Sequence, residues 1–286
     1  MKNPRNQLHA IGCYILGRGV ESQVPPKWLL RSSSICNNRF RRRHAENIAA
    51  ATCDESFRYV QINGQSFVWP RQAPVETLTT MLSEILQPDH PHFYDVPPTT
   101  LMPGDTVLDI GCCEGTFSAY AAEKGATVFS IEPSVKMAAV IERLFELRKL
   151  ERPHITQCLL GSEEDTMYFL DDEENPGGSR IVPNGTAGAY PVQCLTLAGF
   201  SRDVVHKKVD YIKCDAEGAD YEIIKSGAEM IKRDRPKIAI TTYHNYDDYR
   251  KISGFLGGLG YRCTPKGLLF SGDRYRPLML HGVSLD

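Results

Sequence analysis

Three carboxylic acids stand within six residues of one another, directly after an apolar run that predicts a strand, Val209 to Cys214. Asp215, Glu217 and Asp220 flank Gly218 there. Carboxylates held close together favour protonation of one of them, so one can act as a proton acceptor near neutral pH. We predict that Asp215 and Glu217 belong to an active site at this strand end. Asp220 has an equally simple interpretation, as an acid in the first turn of the helix that follows.

A turn with two glycines forms a second candidate site. The apolar run Thr106 to Ile110 predicts a strand, and Thr116 to Glu123 predicts a helix. Gly111 and Gly115 lie between them, where glycine lets the backbone come close to a ligand at the carboxyl end of a strand. Cys112 is interpreted as a small turn residue and not as a nucleophile, because no base stands beside it. The turn therefore predicts a cofactor site.

The acids around this turn indicate which cofactor it binds. The dinucleotide pattern G-x-G-x-x-G is absent, because Cys113 and Thr116 occupy its later glycine positions. Asp109, at the strand tip, would repel a pyrophosphate but suits an ammonium or a sulfonium, and S-adenosylmethionine carries both. The next predicted strand, Ala126 to Glu132, ends in an acid that can accept hydrogen bonds from both ribose hydroxyls. These features favour S-adenosylmethionine.

Three motifs, in this order, resemble those of the FkbM family of S-adenosylmethionine-dependent methyltransferases: Asp109-x-Gly111-x-x-x-Gly115, Glu132-Pro133, and the run from Ile212 to Asp220. The resemblance extends over roughly residues 93–261. It implies an α/β fold, a Rossmann-like class I methyltransferase sheet that is mostly parallel with an antiparallel edge strand. It also implies S-adenosylmethionine as methyl donor, and O-methylation of a hydroxyl on a sugar, a glycan or a secondary metabolite.

The resemblance adds residues to the candidate site. His244 follows the predicted strand Lys237 to Thr242, at the position where the family places a histidine. Gly161 and Ser162 follow the predicted third strand, Ile155 to Leu160, where this fold class meets the adenine; a plain turn is the alternative. The complete set of predicted cofactor-binding residues is Asp109, Gly111, Cys112, Gly115, Glu132, Gly161, Ser162 and Asp215.

Methyl transfer from a sulfonium requires alignment of the acceptor and removal of its proton. Alignment can supply roughly 7–11 kcal/mol, and a positioned base about 10²- to 10⁴-fold. The predicted catalytic residues are Asp215, Glu217 and His244, with His244 or Asp215 as the base and Glu217 orienting it. The same three side chains could instead hold a divalent metal that lowers the pKa of the hydroxyl. We favour the interpretation without a metal.

The chain divides into three predicted parts: a basic, partly ordered extension over residues 1–55, a hairpin and helix cap over 56–100, and an S-adenosylmethionine-binding methyltransferase domain over 101–286. Asn63-Gly64 between two apolar runs predicts the hairpin. An apolar stripe at helical spacing predicts the helix from Val75 to Ile85. The acidic, turn-rich stretch from Asp171 to Ser179 is interpreted as a solvated loop, with a substrate lid as the alternative.

The extension carries the basic excess of a chain whose formal net charge is -2. Residues 1–50 hold nine Lys and Arg against two Glu. Binding of nucleic acid would use Arg39, Arg41, Arg42 and Arg43, although a solvated charge run is the interpretation we favour. The rival functions are therefore an RNA or protein methyltransferase that uses this region, an NAD-linked oxidoreductase, and a non-catalytic cofactor-binding module.

The cysteine pattern and the hydropathy bear on localisation. Nine cysteines are an odd number without a C-x-x-C pair, which is typical of a reducing compartment and neither of a disulfide framework nor of a zinc site. The apolar stretch from Ile11 to Leu16 is too short to span a membrane. We expect a cytoplasmic protein without a membrane span, and the sequence gives no basis for an oligomeric state.

Overall fold

A computed structural model describes residues 4–19, 23–29, 31–172, 174–271 and 274–285 of the chain. The helices are α1 Pro4–Ile15, α2 Pro26–Leu29, α3 Ser33–Arg43, α4 Ala45–Ala49, α5 Val75–Leu86, α6 Thr116–Glu123, α7 Val135–Arg148, α8 Leu197–Phe200, α9 Asp220–Ser226, α10 Ala228–Asp234 and α11 Asp248–Gly258. The strands are β1 Thr52–Cys53, β2 Phe57–Ile62, β3 Gln65–Pro70, β4 Thr106–Ile110, β5 Thr127–Ile131, β6 His154–Thr156, β7 Leu159–Gly161, β8 Asp165–Leu170, β9 Arg180–Val182, β10 Tyr190–Thr196, β11 Tyr211–Cys214, β12 Lys237–Thr241, β13 Tyr261–Ser271 and β14 Arg274–Ser284.

The central sheet has seven strands in the order β13-β14-β12-β11-β4-β5-β6. Strands β6, β5, β4, β11 and β12 run parallel, and β14 runs antiparallel to both β12 and β13. The predicted mostly parallel Rossmann-like sheet with an antiparallel edge is confirmed. The strand order reverses between β4 and β11, and open α/β sheets bind ligands in the crevice at such a reversal.

Alternate residues of the central strands build two cores, because side chains alternate between the faces of a sheet. Leu108 and Ile110 pack on one face with Ile212, whereas Val107 packs on the other with Tyr211. All five are buried. Near-continuous apolar strands of this kind are expected where helices cover both faces of a parallel sheet.

Two elements that were predicted to be continuous are each interrupted in the structure. The predicted third strand is two short strands, β6 in the central sheet and β7 in a second sheet, because the amide of Cys158 turns back to donate to the carbonyl of Thr156. The helix predicted to begin at Asp220 is divided into α9 and α10 at Gly227. A Cβ at Gly227 would lie 2.5 Å from the side chain of Leu197, so glycine permits this close contact.

The insertion between β6 and β11 contains a four-stranded sheet in the order β7-β10-β8-β9. A 3₁₀ turn at Pro176–Gly178 lies within it, in the stretch predicted as a solvated loop or a lid. Pro176 is buried, and a Cβ at Gly177 would lie 3.3 Å from the side chain of Met81 on α5. This part of the insertion therefore packs on the rest of the molecule.

The residues before β4 form the predicted hairpin and helix, preceded by further helices. Asn63 and Gly64 both have positive φ, as a two-residue hairpin turn of type I′ requires. Val68 of β3 packs against α7, and Phe40 of α3 joins the apolar core of the hairpin and α5. Trp28 of α2 is buried as well. The described part of residues 1–55 thus contains packed helices, and the three-part division of the chain, with its partly ordered extension, stays a prediction.

Among the described residues, no helix is long and apolar enough to cross a membrane.

Candidate active site

A cavity of about 550 Å³ opens at the carboxyl ends of β4, β5 and β11, where the strand order reverses. Of the residues predicted from the sequence, those that line it are Gly111, Cys112, Glu132, Asp215 and Glu217. Glu132 follows β5 and Asp215 follows β11, so two strand spacings, about 9–10 Å, separate the two strand ends. The structure thus brings the two predicted acidic regions to opposite sides of one cavity.

Gly111 allows the turns after β4 and β11 to meet. Its φ is +68°, and a Cβ there would lie 2.0 Å from the carbonyl oxygen of Asp215. Gly115 has a φ of +74° and begins α6; a Cβ there would lie 2.7 Å from Ile141 of α7. Gly115 therefore lets the turn pack closely against α7, and it is not among the residues that line the cavity.

Glu132 is held in place by the backbone. Its Oε2 accepts a hydrogen bond from the amide of Cys113 (2.9 Å), and its Oε1 accepts one from the amide of Ser134 (3.0 Å). Burial raises the pKa of Glu132 to about 7, against these two hydrogen bonds, which favour the carboxylate. Each carboxylate oxygen retains a free lone pair that can accept a hydroxyl from the cavity.

Asp109 differs from its predicted role. It is fully buried, it is not among the residues lining the cavity, and the hydroxyl of Ser118 donates to it (2.6 Å). The parallel register of β4 and β11 places Lys213 beside it, with Lys213 Nζ 3.0 Å from Asp109 Oδ1. The cation next to Asp109 is therefore an internal lysine, and a ligand above Gly111 meets Lys213, which does line the cavity.

Lys213 was not identified from the sequence. Its Nζ donates to the carbonyl of Gly111 (2.5 Å), and its pKa is raised because the charges of Asp109 and Asp215 outweigh the effect of burial. A lysine within an otherwise apolar strand is the signal that could have revealed it, since a buried ammonium requires a partner.

Gly161 and Ser162 lie outside the cavity lining. The chain turns before β7, so that Cys158, Leu159 and Leu160 line the cavity at this point. Gly161 instead faces Cys194 of β10, whose sulfur would lie 2.8 Å from a Cβ at this position. The displacement follows from the break between β6 and β7.

Asp215 is fixed at both of its carboxylate oxygens. The hydroxyl of Tyr94 donates to Oδ2 (2.8 Å), and the hydroxyl of Thr241 lies 3.1 Å from Oδ1. Buried His92 adds a third contact, with its Nε2 3.8 Å from Asp215 Oδ2 and its Nδ1 3.2 Å from Glu84 Oε2. Neither His92 nor Tyr94 was among the site residues predicted from the sequence; the aromatic and histidine content of their stretch is the signal for this contact.

His244 lies directly behind the two predicted acids. Its Nδ1 is 3.2 Å from Asp220 Oδ2, and its Nε2 is 3.6 Å from Asp215 Oδ1 and 3.5 Å from Glu217 Oε2. Burial disfavours the charged imidazole, but the hydrogen bond to Asp220 and the neighbouring carboxylates outweigh it and raise the pKa of His244 to about 9. The three residues predicted to be catalytic therefore form one cluster.

The loop that presents Glu217 has an uncommon backbone. Glu217 has a φ of +49° and Gly218 a φ of +102°. Asp220 Oδ1 accepts the amide of Ala216 and its Oδ2 accepts the amide of Gly218, each at 3.1 Å, while Asn245 donates to the carbonyl of Gly218 (3.0 Å). Asp220 thus braces the loop in addition to standing at the start of α9. Non-glycine residues with positive φ persist where the surrounding structure holds them, commonly at functional sites.

The cavity wall has two sources. Strand ends of the central sheet supply one side, and the cap and the insertion supply the other. The residues of the second source are Met81, Glu84, Ile85, Tyr94, Cys158, Leu159, Leu160, Phe169, Pro176, Gly177, Ser179, Arg180 and Ile181. On this second side, α5 contributes the apolar side chains of Met81 and Ile85 and the carboxyl group of Glu84.

The family model for the methyltransferase FkbM domain matches residues 109–263, which is more than half of the chain. No curated protein matches the chain. A crystal structure of methyltransferase FkbM from Methylobacillus flagellatus is similar at 18% identity with a TM-score of 0.47; the match covers 74% of this chain but only 56% of that one. This chain thus spans little more than half the length of that protein.

Two other solved structures are similar in the same way. Magnesium protoporphyrin IX methyltransferase from Synechocystis, with bound S-adenosylmethionine, matches at 17% identity, covering 64% of this chain and 71% of that one, with a TM-score of 0.38. Precorrin-6y C5,15-methyltransferase from Geobacter metallireducens matches at 12% identity, covering 65% and 82%, with a TM-score of 0.40. The family match includes the first glycine turn, Glu132, the cluster at Asp215 and His244. On that match, this chain belongs to the FkbM methyltransferase family.

Proposed function

We propose that this protein transfers the methyl group of S-adenosylmethionine to a hydroxyl, most simply one on a sugar, a glycan or a secondary metabolite. The observation that carries the proposal is the arrangement of two acidic regions across one cavity of about 550 Å³. Glu132 on one side suits the ribose hydroxyls of the cofactor. Asp215, Glu217 and His244 on the other side suit an acceptor that must lose a proton.

The cofactor side is built from Gly111, Cys112 and Glu132. The turn after β4 brings backbone close to the cavity without a side chain at Gly111. Tyr94 and Tyr243 also line the cavity, and aromatic faces attract a sulfonium through their quadrupoles. Asp109 and Gly115 do not line the cavity, and we propose that they hold the turn after β4 in place. Gly161 and Ser162 also lie outside the lining and are not among the proposed cofactor contacts.

The acceptor side removes the proton of the hydroxyl. As an acceptor oxygen attacks the methyl carbon, the carbon–sulfur bond breaks and its electron pair stays on sulfur, which leaves as a neutral thioether. The leaving group therefore requires no acid, and the chain's task is to align the acceptor and to take up its proton. Asp215, His244 and Glu217 are the groups within reach of that proton.

The rival functions find less support in the contacts. Arg39 pairs with Asp89 (2.5 Å), and Arg41 donates to the hydroxyls of Thr79 and Thr80, so two of the four arginines proposed for nucleic acid are engaged within the chain. The dinucleotide pattern expected of an NAD-linked oxidoreductase is absent. A non-catalytic module would have no use for the braced acidic loop opposite the cofactor side.

Calorimetric titration with S-adenosylmethionine, S-adenosylhomocysteine and NAD tests the cofactor. We expect the first two to bind and NAD not to bind. Glu132→Ala should weaken both by at least tenfold, because hydrogen bonds to a charged group are worth about 1.5–3 kcal/mol each. Glu142→Ala is the matched control, since Glu142 is an exposed acid on α7. Binding of NAD alone, or equal binding by the two variants, would overturn the assignment.

The acceptor side is tested by turnover, once a glycan and small-molecule hydroxyl screen has supplied an acceptor. His244→Ala and Asp215→Asn should lower kcat by 10²-fold or more at saturating acceptor, with cofactor affinity changed less than by Glu132→Ala. Full turnover by His244→Ala would remove this residue from the proposal.

A further inference from the structure

One ring nitrogen of His244 lies between two carboxylates, beyond ordinary hydrogen-bond length from each. Its Nε2 is buried and has no hydrogen-bond partner, although Asp215 and Glu217 each place a carboxylate oxygen near it. The imidazole side chain is only 10% exposed. One ligand atom from each of the three residues lies within 4.8 Å of the other two. An unpartnered buried nitrogen therefore points into a group of oxygen atoms.

The separations within this group are those of co-ligands and not those of hydrogen-bond partners. Nε2 lies 3.6 Å from Asp215 Oδ1 and 3.5 Å from Glu217 Oε2. A hydrogen bond between such atoms would be about 2.7–3.2 Å long. Two ligands that each lie about 2.0–2.2 Å from one metal ion are about 3 Å apart at an octahedral angle and about 3.4 Å apart at a tetrahedral angle. The distances fit a cation placed between the three atoms.

The second ring nitrogen has the partner that a metal ligand requires. A metal-binding histidine commonly donates its other N–H to a carboxylate, which fixes the tautomer and the ring. Asp220, which is fully buried, provides this carboxylate 3.2 Å from His244 Nδ1. Asp220 also holds the amides of Ala216 and Gly218, so a single side chain braces both the imidazole and the loop that carries the two acids.

We infer that Asp215, Glu217 and His244 bind one divalent cation at the acceptor side of the cavity. Two carboxylates and one imidazole suit Mn²⁺ and similar ions, since carboxylates prefer hard cations and imidazole extends the preference to transition metals. The ion has positions open to substrate, because Asp215 and Glu217 line the cavity and Glu217 is 60% exposed.

The use of this ion in catalysis rests on the proposed function, whereas its binding does not. A hydroxyl bound to the cation loses its proton to water more readily, because the cation stabilises the alkoxide. The alkoxide oxygen then forms the new bond to the methyl carbon while the carbon–sulfur bond breaks. The products are the methyl ether, the neutral thioether and one proton released to solvent. In this scheme Asp215, Glu217 and His244 hold the cation, and solvent takes the proton that the proposed function without a metal gives to one of these side chains.

Electron paramagnetic resonance of added Mn²⁺ tests the inference without turnover, because the six-line signal of free Mn²⁺ decreases on binding. The full chain, first stripped with a chelator, should bind one Mn²⁺. Glu217→Gln should weaken binding at least tenfold. Because the Glu217 side chain is 60% exposed, we expect this variant to fold, so that weaker binding reports the loss of a ligand. Glu222→Gln is the matched control, an exposed acid on α9 that should bind within twofold of wild type. His244→Gln should also weaken binding at least tenfold.

Two results would overturn the inference: no Mn²⁺ binding by the wild type at millimolar concentration, or equal binding by Glu217→Gln and Glu222→Gln. The calorimetric titration separates this failure from failure of the proposed function. If S-adenosylmethionine binds and methyl transfer proceeds in excess chelator, the function stands and the cation site does not. If Mn²⁺ binds as expected but S-adenosylmethionine does not, the cation site stands and the proposed function does not.

Discussion

Gly111 stands where two strand ends approach too closely for any side chain. A Cβ there would lie 2.0 Å from the carbonyl oxygen of Asp215, in addition to the strain of a φ of +68°. Neither backbone can move without disturbing the parallel pairing of β4 and β11. Gly111 thus fixes the floor of the cavity.

We expect Gly111→Ala to destabilise the protein well beyond the cost of its backbone conformation. Gly104→Ala is the matched control, since Gly104 has a φ of +87° but no atom within 4 Å of a Cβ. The control should lose about 1–2 kcal/mol, and Gly111→Ala at least 2 kcal/mol more, measured by urea unfolding. An equal loss for the two variants would show that the turns can separate.

Glu132 should make stability depend on pH in a definite direction. Burial raises its pKa in the folded chain to about 7, from an ordinary value of 4.5. Between these two values the unfolded chain releases this proton while the folded chain keeps it. The free energy of unfolding therefore falls as the pH rises from about 4.5 to about 7, by at most about 3.4 kcal/mol in total, and does not fall further above that range.

Glu132→Gln removes this titration, so its stability relative to wild type should increase between pH 5 and pH 8. Urea unfolding of both proteins at several pH values measures the difference, in which the other titrating groups cancel. Glu142→Gln, at an exposed acid, should show no such trend. A difference independent of pH would mean that Glu132 is ionised in the folded protein throughout.

At the scale of elements, a lysine on β13 holds the segment of residues 87–99 in place through hydrogen bonds to its backbone. Lys266 on β13 is 2% exposed, and its Nζ donates to the carbonyls of His90 (3.2 Å), Pro91 (2.8 Å) and Phe93 (2.6 Å). Its Nζ also lies 4.5 Å from the centre of the Trp28 ring. The same segment delivers His92 and Tyr94 to Asp215, so β13 acts on the cavity through backbone carbonyls.

Lys266→Met should loosen this segment, because three carbonyls lose a buried donor and a buried carbonyl left unsatisfied costs about 1–3 kcal/mol. Of the three, the carbonyl of His90 keeps the amide of Phe93 as a donor. The amide of Phe93, which donates to the carbonyl of His90, should exchange hydrogen at least tenfold faster. Lys232→Met, at an exposed lysine, is the control. Unchanged exchange at Phe93 would mean that other contacts hold the segment.

Element boundaries were predictable where local chemistry decides them. The predicted strand Thr106–Ile110 and helix Thr116–Glu123 match β4 and α6 to the residue, because glycines and an abrupt change of periodicity delimit them. The break between β6 and β7 was missed, since neither glycine nor proline marks it. The break at Gly227 was missed because its cause is a contact with Leu197, which is distant in sequence.

At the scale of the whole molecule, the acids of the cavity were predictable and their partners were not. Glu132 and Asp215 each follow an apolar run, and parallel strands end at one edge of a sheet; Asp109 lies within its own apolar run, Thr106–Ile110, and does not line the cavity. The pairing of Asp109 with Lys213 depends on the register of two strands about a hundred residues apart, which no local pattern records. For this reason the sequence favoured Asp109 as a ligand of the cofactor.

The packing of the first helices was likewise a property of the whole chain. Their apolar residues are few and irregularly spaced, and their burial depends on surfaces formed later in the sequence. Trp28 packs with Phe93 and Leu268, and Phe40 packs with the hairpin and α5. Arg39 forms an ion pair with Asp89, so part of the basic run attaches α3 to the segment that follows α5.

The cavity wall is shared between the central sheet and the outer segments, and this division bears on how the protein can evolve. The glycine turn and the braced acids belong to the central sheet, where a change disturbs many neighbours at once. Met81, Gly177 and Ile181 belong to the cap and the insertion, which reach the cavity from outside that sheet. Gene duplicates could therefore diverge toward new acceptors by altering these outer segments while inheriting the chemistry unchanged.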